Sequence, residues 1–148
     1  SDLIFHRLGE AKSNLSGMQF CCADGQSLPF RDHSFDLLLQ FTVFSSILDS
    51  QIKLNIAKEM IRVLKDDGAI IWYDFWTNPL NSETKGIKTK EIKQLFPNST
   101  LNVSKITLAP PLTQRFINIS WVFCWILEKT RILNSHNLVI IQKDILGQ

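Results

Sequence analysis

The chain has 148 residues, 45% of them hydrophobic and 20% charged, which is the composition of one ordinary globular domain and excludes wholesale disorder. Its 16 basic and 14 acidic residues give a net charge of +2 and are dispersed along the sequence. A nucleic-acid-binding protein would carry a dense basic stripe, so we expect no nucleic-acid partner.

The first two predicted elements are strands. Residues 18–23 form a short apolar run that ends at Asp24 and Gly25, and this pattern predicts a strand leading into a loop. Residues 35–41 contain three successive leucines. A continuous apolar run of this length is typical of a strand in the buried centre of a parallel sheet.

A helix and a third strand follow. In residues 47–65 an apolar residue recurs at every fourth position, which predicts one buried helix face. Asp49 or Ser50 can cap the start of this helix, and Gly68 is placed to end it. Residues 69–74 predict another buried strand. Because a strand, a helix and a strand with short joins form a right-handed crossover, the sheet should be at least partly parallel.

The second half of the chain has a looser pattern. Residues 89–96 predict a short helix that Pro97 stops, and residues 101–108 and 137–142 predict strands. Residues 112–127 are apolar nearly all round. This segment is shorter than the roughly 20 residues that cross a bilayer. It is either a core or lid helix over a substrate cleft, or a contact for a lipid-linked acceptor or the membrane surface.

The cysteines and the first residues indicate a cytoplasmic protein. Cys21 and Cys22 would point to opposite faces of a strand, and no pair of cysteines or histidines has zinc-ligand spacing. We therefore expect reduced thiols and no metal. Residues 1–12 include several charged side chains and contain no apolar core of a signal peptide.

Polar residues follow each strand predicted in the first half, at the edge where a parallel sheet binds its ligand. They lie in the segments 24–26, 40–42 and 73–75. Carboxylates there can accept hydrogen bonds from an adenine amino group or ribose hydroxyls, and aromatic neighbours can pack on the base. The glycines and lysine of a phosphate site do not cluster here. The pattern favours a nucleoside-like ligand, although an aspartate that leaves a strand is more often a turn residue.

Two blocks carry a more specific pattern. Residues 22–36 combine an acid and a small residue with Leu-Pro-Phe and Ser-Phe-Asp, and residues 63–68 read Val-Leu-Lys-Asp-Asp-Gly. Together they resemble class I S-adenosylmethionine-dependent methyltransferases of the ubiquinone/menaquinone C-methyltransferase-like superfamily, whose second block reads Val-Leu-Lys-Pro-Gly-Gly. More loosely, several short segments after Trp72 are similar to a bacterial subgroup found with polysaccharide or natural-product genes.

The resemblance implies a fold, a cofactor and a set of binding residues. The fold would be α/β, an incomplete Rossmann-like methyltransferase sheet that is mostly parallel with an antiparallel C-terminal strand. Residues 1–148 would form one partial methyltransferase domain, with a cofactor-side half at 1–80 and a substrate-side half at 81–148. The cofactor would be S-adenosylmethionine. Six residues match cofactor-binding positions of the family: Asp2, Leu3, Asp24, Gly25, Gln26 and Gln40.

The resemblance also implies individual roles. Asp24 would accept a hydrogen bond from the adenine amino group, while the Gly25 amide faces the ring. Asp2 would hold the ribose hydroxyls, and Gln40 would lie near the methionine part of the cofactor.

One part of the family pattern does not occur in this sequence. The first strand of the family and its glycine-rich loop lie upstream of the acid that Asp2 matches. We therefore expect the first strand to be missing and the cofactor affinity to be reduced. Because removal of a central strand leaves edges with open amide and carbonyl groups, we also expect a homo-oligomer paired through these edges.

Three functions remain open at this point. The first is methyl transfer to a small-molecule acceptor or a sugar- or lipid-linked one. Tyr73, Asp74 and His136 are candidate bases by position only, a structural role is more typical of each (core, strand-end turn and loop respectively), and no catalytic residue is assigned. The second is a truncated, non-catalytic fragment that assembles as an oligomer and binds the cofactor weakly or not at all. The third is a nucleotide-binding oxidoreductase, in which the Leu-Pro-Phe block would have no role.

Overall fold

The structure is a computed structural model that describes Gly9, Lys12 and residues 17–77, 84–116, 118 and 120–144. In chain order its elements are strand β1 (Phe35–Phe41), a 3-10 turn (Phe44–Ser46), helix α1 (Ser50–Val63), strand β2 (Leu64–Phe75), helix α2 (Thr89–Leu95), strand β3 (Ser99–Leu108), helix α3 (Pro110–Phe116), helix α4 (Trp121–Lys129) and strand β4 (Asn134–Lys143). The four strands predicted after residue 30 are therefore present as β1 to β4. The predicted helices at 47–65 and 89–96 are present as α1 and α2.

The four strands form one sheet in the order β1–β2–β4–β3. β1 and β2 are parallel, with Leu38 beside Ile70 and Phe41 beside Tyr73. β4 is antiparallel to both β2 and β3. The α/β fold with an incomplete Rossmann-like sheet is confirmed, and β1, α1 and β2 form the predicted parallel crossover.

Helix α1 begins at one of the two predicted caps. Asp49 Oδ1 accepts hydrogen bonds from the amides of Gln51 at 2.7 Å and Ile52 at 3.2 Å, which satisfies two of the amides that every helix start leaves free. The helix ends before the predicted end near Gly68, because β2 begins directly after it. Gly68 lies at an irregularity of the β1–β2 register, where a Cβ would stand 2.8 Å from the Leu64 side chain.

The two faces of the sheet differ in what covers them. On one side, the covered face, α1 and α2 bury a continuous apolar core whose members are Phe44, Ala57, Met60, Leu64, Ile70, Trp72, Ile87, Ile92, Leu95, Phe96, Val139 and Ile141. Successive side chains of a strand alternate between faces, so the neighbours of these residues lie on the opposite side. That side, the open face, carries Leu37, Leu39, Phe41 and Ile140, which are 40% to 59% exposed.

Two strand predictions are wrong. Residues 18–23 form no strand, since only Cys22 makes a single bridge and none of the described strands runs alongside to pair their backbone groups. β1 is not in the buried centre but at the edge of the described sheet, with Leu37 and Leu39 exposed. An apolar run shows which side chains can be buried, whereas burial itself depends on a neighbouring strand and a covering layer.

Residues 112–127, predicted as one apolar segment, belong to two separate helices. Ser120 precedes α4 and caps it, because its hydroxyl accepts the Phe123 amide at 3.2 Å. α4 is not a core helix, since Cys124 is its one buried residue. None of the helices in the described ranges is long and apolar enough to cross a membrane.

Candidate functional site

One edge of the sheet gathers polar groups that are shielded from solvent. At this edge, the carboxyl edge, the pairing of β1 with β2 ends at Phe41 and Tyr73, and Phe75 at the end of β2 pairs with His136 near the start of β4. Seven of the nine buried polar residues in the described part of the chain cluster there: Gln40, Ser45, Asp74, Asn134, Ser135, His136 and Asn137. Burying polar groups costs free energy, so this buried polar layer indicates a role other than core packing.

Asp74 organises the carboxyl edge. Its Oδ2 accepts hydrogen bonds from Gln40 Nε2 at 2.9 Å and from the amides of Phe44 at 3.0 Å and Ser45 at 3.2 Å. Its Oδ1 accepts the Phe75 amide at 2.8 Å. These bonds tie the end of β1 and the 3-10 turn to the end of β2. Because the carboxylate is fully buried and accepts four hydrogen bonds, Asp74 positions its neighbours, and we assign it no role as a base.

Two buried oxygens beside Asp74 keep unused hydrogen-bonding capacity. Gln40 Oε1 and Ser45 Oγ have no hydrogen-bond partner in the described chain, although both are shielded from solvent. An unsatisfied buried polar atom costs about 1–3 kcal/mol. Asn134 Oδ1 and Asn137 Oδ1 on β4 are buried and unpartnered in the same way. These four oxygens are therefore the groups of the polar layer with which a ligand could form new hydrogen bonds.

Asp24 lies in an exposed turn that rests on α1. Its Oδ1 accepts the Gln26 amide at 2.9 Å, and its Oδ2 accepts the Gln26 side chain at 3.3 Å. Asn55 of α1 donates to Gln26 Oε1 at 3.1 Å, and a side chain at Gly25 would meet Ile56. A carboxylate has about four acceptor positions, so Asp24 is held in place and still presents open positions to solvent.

Arg62 of α1 fixes the loop that follows the Asp24 turn. It donates to the carbonyl oxygen of Leu28 at 3.0 Å and pairs with Asp32 at 2.6 Å. Glu59 receives two guanidinium hydrogen bonds of 2.7 Å and accepts the Leu28 amide at 2.8 Å. The bonds from Arg62 lower the pKa of Glu59, and those from Glu59 raise the pKa of Arg62. The Leu-Pro-Phe block thus has a structural role in this chain, which is to hold the loop on α1.

His136 lies between aromatic rings on β4. Its ring stacks on that of Tyr73 with 4.6 Å between centroids and lies 4.0 Å from that of Phe75. Its Nδ1 is 2.9 Å from the Ser135 hydroxyl. Burial lowers the pKa of His136, although the charge of Asp74 opposes this shift. The imidazole is therefore neutral near pH 7, and its packing gives it a structural role.

Residues 84–88 lie across the carboxyl edge. The amides of Lys85 and Ile87 donate to backbone oxygens of the 3-10 turn and of β2 at 2.8 Å and 2.7 Å. A Cβ at Gly86 would stand 2.5 Å from the carbonyl oxygen of Trp76, so only glycine permits this close approach. The segment shields the polar layer from water.

The structure describes four of the six predicted cofactor-binding residues. Residues 24–26 form the exposed turn, whereas Gln40 belongs to the buried network of Asp74, and no hydrogen bond among the described residues joins the two. Asp2 and Leu3 lie outside the described residues. The roles of all six, and the convergence of Asp2 with Asp24 on one ligand, stay predictions.

Two features of the site were not predicted. The spacing of Glu59 and Arg62 signals an ion pair on a helix, but the loop groups that they hold lie about 30 residues away and carry no local signal. The polar run Asn134–Asn137 resembles a loop in the sequence, so the predicted strand began only at its last residue. Pairing with β2 and β3 is what buries this run.

Other parts of the described chain offer less chemistry. A cavity of about 230 Å³ lies between α1 and the junction of α2 with β3, and its lining contains none of the predicted site residues. Within the described ranges, no three histidine, cysteine or acidic side chains are grouped so that they could hold a metal ion. The carboxyl edge is therefore the better candidate site.

A family model for a methyltransferase domain matches residues 2–72. No protein among those with curated descriptions matches the chain.

Three solved structures are similar in fold. A Sulfolobus solfataricus protein described as a type 11 methyltransferase is 19% identical with a TM-score of 0.63, and the match covers 99% of this chain and 71% of that one. An S-adenosylmethionine-dependent methyltransferase of Methanosarcina mazei is 18% identical with a TM-score of 0.60, and the match covers 99% of this chain and 81% of that one. An S-adenosylmethionine-dependent methyltransferase of Leishmania major is 14% identical with a TM-score of 0.66. The match covers 95% of this chain and 54% of that one, so this chain spans about half of that protein. Residues 2–72 therefore match a methyltransferase domain family, and the chain has the α/β fold of S-adenosylmethionine-dependent methyltransferases.

Proposed function

We propose that the carboxyl edge binds S-adenosylmethionine and serves methyl transfer to a small-molecule acceptor or a sugar- or lipid-linked one. The observation that carries the proposal is the buried polar layer, which keeps four unsatisfied oxygens, two of them on Gln40 and Ser45 at the edge where the parallel strands end. The family match over residues 2–72 supports it.

The described residues fit the chemistry of this cofactor. Its adenine amino group and the ammonium group of its methionine part both donate hydrogen bonds. The Asp24 carboxylate has acceptor positions for the first, where the Gly25 amide would face the ring, and Gln40 Oε1 is an unsatisfied acceptor for the second. Asp2 and Leu3 would complete the set at the ribose.

The chain needs few groups for the reaction itself. When bound, the cofactor supplies a methyl group that its sulfonium has already activated. The remaining tasks are to bind, to orient the acceptor and to exclude water, which the Asp74 network and residues 84–88 serve by fixing the carboxyl edge. We assign no catalytic base.

Titration calorimetry separates this proposal from a dinucleotide-binding function. We expect heat of binding with S-adenosylmethionine and none with NAD. Asp24→Ala should weaken binding about tenfold to a hundredfold, because it removes a hydrogen bond to a charged group. Asp67→Ala is the matched control, since Asp67 is an exposed carboxylate at the opposite end of β2. Heat with NAD, or equal affinity of the two variants, would contradict the proposal.

A second candidate is a non-catalytic assembly that binds the cofactor weakly or not at all. It is favoured by the edge strand β1, where Leu37, Leu39 and Phe41 are exposed and no described strand pairs with the outer edge. Such an edge is a template for pairing with another chain. The result would be a homo-oligomer built through β1.

Analytical ultracentrifugation tests this second candidate. A wild-type oligomer that Leu39→Lys converts to a monomer would support it, because the new charge lies on the open face. Leu48→Lys is the control, since Leu48 is 64% exposed but lies outside the sheet. A wild-type monomer that binds S-adenosylmethionine would contradict this second candidate and support methyl transfer.

A further inference from the structure

Helix α4 and the turn after it expose an apolar surface, here called the α4 patch. Its seven large hydrophobic side chains are 40% to 77% exposed: Trp121, Val122, Phe123, Trp125, Ile126, Ile132 and Leu133. A monomeric protein rarely exposes a contiguous apolar patch larger than a few hundred Å² without a binding role. The α4 patch is therefore a candidate docking surface.

The patch has one continuous outer side. Residues three and four apart lie together on a helix, so Trp121, Trp125 and Lys129 form one row, and Val122 and Ile126 form the next. Cys124 is buried on the opposite side of the helix. The helix is closed at its start by Ser120, so docking would not require it to fold first.

Basic groups border the patch. Lys129 stands at the end of the apolar row, and its Nζ lies 5.4 Å from the centre of the Trp125 ring. Arg115 and Arg131 are also exposed. Glu128 is the one acid of α4, and its carboxylate accepts the Thr107 amide of β3 at 3.3 Å. The charge beside the apolar surface is therefore positive.

We propose that the α4 patch docks onto the surface of a lipid bilayer that carries anionic headgroups. Tryptophan side chains beside basic ones match the border between acyl chains and headgroups, where an aromatic ring lies in the apolar region and a cation reaches the phosphates. A second copy of the chain is a poorer occupant. A contact between two copies would bury the cations Lys129 and Arg131 away from water, whereas at a bilayer both can stay among the headgroups.

The position of α4 gives the docking a consequence. Glu128 bonds to Thr107, near the end of β3, and β4 begins soon after α4, so the helix stands close to the carboxyl edge. A docked bilayer would lie beside the candidate site, which favours a lipid-linked acceptor. That consequence rests on the proposed function, whereas binding to a bilayer does not.

Vesicle co-sedimentation tests the docking without any cofactor. We expect the full chain to bind phosphatidylcholine vesicles that contain one quarter phosphatidylserine. Trp121→Ser with Trp125→Ser should reduce the partition coefficient on the order of tenfold or more, since the apolar insertion is lost. Lys129→Glu should reduce binding at least about fivefold on the anionic vesicles and have little effect on pure phosphatidylcholine.

Leu48→Ser is the matched control, because Leu48 is as exposed as the tryptophans but lies at the start of α1, and it should bind as the wild type does. Circular dichroism of each variant checks that the fold is unchanged, which the exposure of the substituted residues predicts. A wild-type chain that does not sediment with vesicles would overturn the proposal. Vesicle binding by the double tryptophan variant equal to that of the wild type would also overturn it. So would a wild-type chain that forms a dimer and binds no vesicles, if the tryptophan substitutions convert that dimer to a monomer.

Discussion

The covered and open faces belong to one sheet and both carry apolar side chains from β1, β2 and β4, yet they are in different surroundings. Ile141 on β4 is fully buried against the helices, whereas its neighbour Ile140 is 40% exposed on the open face. The difference arises from the covering layer, because α1 and α2 lie on one side only among the described elements. Strand sequence therefore fixes which side chains share a face, and the rest of the chain or its partners decide whether that face is buried.

The largest expected effect is the difference in stability loss between alanine substitutions on the covered face and on the open face. Ile141→Ala should lower the free energy of unfolding by about 3 kcal/mol, since it leaves a cavity in the core. Ile140→Ala should lower it by less than about 1 kcal/mol, because the side chain already meets solvent. Urea denaturation of both variants measures the contrast. Equal losses would mean that the open face is covered in solution, which would point to an assembly through it.

The sequence predicted the presence of β1, α1 and β2, because their apolar patterns are local, although β2 begins at Leu64 and not at residue 69. Asp49 caps α1 as its residue type suggests. The sequence could not predict the burial of β1 or α4, because an apolar pattern looks the same whether or not a layer lies against it. It favoured a structural role for Asp74 but could not predict its partners, since the amides that it binds lie about 30 residues away in the chain.

The next largest effect is the loss of stability when a buried ion pair on the covered side is broken, compared with the loss for an exposed pair. Lys53 is almost fully buried and its Nζ lies 2.7 Å from Glu91, which joins α1 to α2. Glu91→Ala should destabilise the chain by about 2 kcal/mol, because it leaves the buried ammonium unpaired. Asp36→Ala breaks the exposed pair with Lys65 and should cause no resolvable change.

A double variant checks the cause of that loss. Lys53→Met combined with Glu91→Leu removes both charges and should recover most of the stability in chemical denaturation. If the double variant is less stable than Glu91→Ala alone, the unpaired charge is not the reason for the loss.

The smallest effect concerns His136, which lies among the aromatic rings at the carboxyl edge. Burial places its folded-state pKa below the 6.5 of the unfolded chain, so the folded state binds fewer protons between these two values. The free energy of unfolding should therefore fall as the pH drops from 6.5 towards the folded pKa. Denaturation at about pH 7.5 and about pH 5.5 should show this fall, and His136→Phe should largely remove it. An unchanged pH dependence in the variant would assign the effect to other groups.

Amide hydrogen exchange with and without saturating S-adenosylmethionine tests the central claim most directly, because it locates the bound cofactor on the chain. The account predicts slower exchange in residues 24–28 and 42–47, which flank Asp24 and follow Gln40, and unchanged exchange in α2 on the covered face. Unchanged exchange in both segments, or protection confined to other parts of the molecule, would contradict the account.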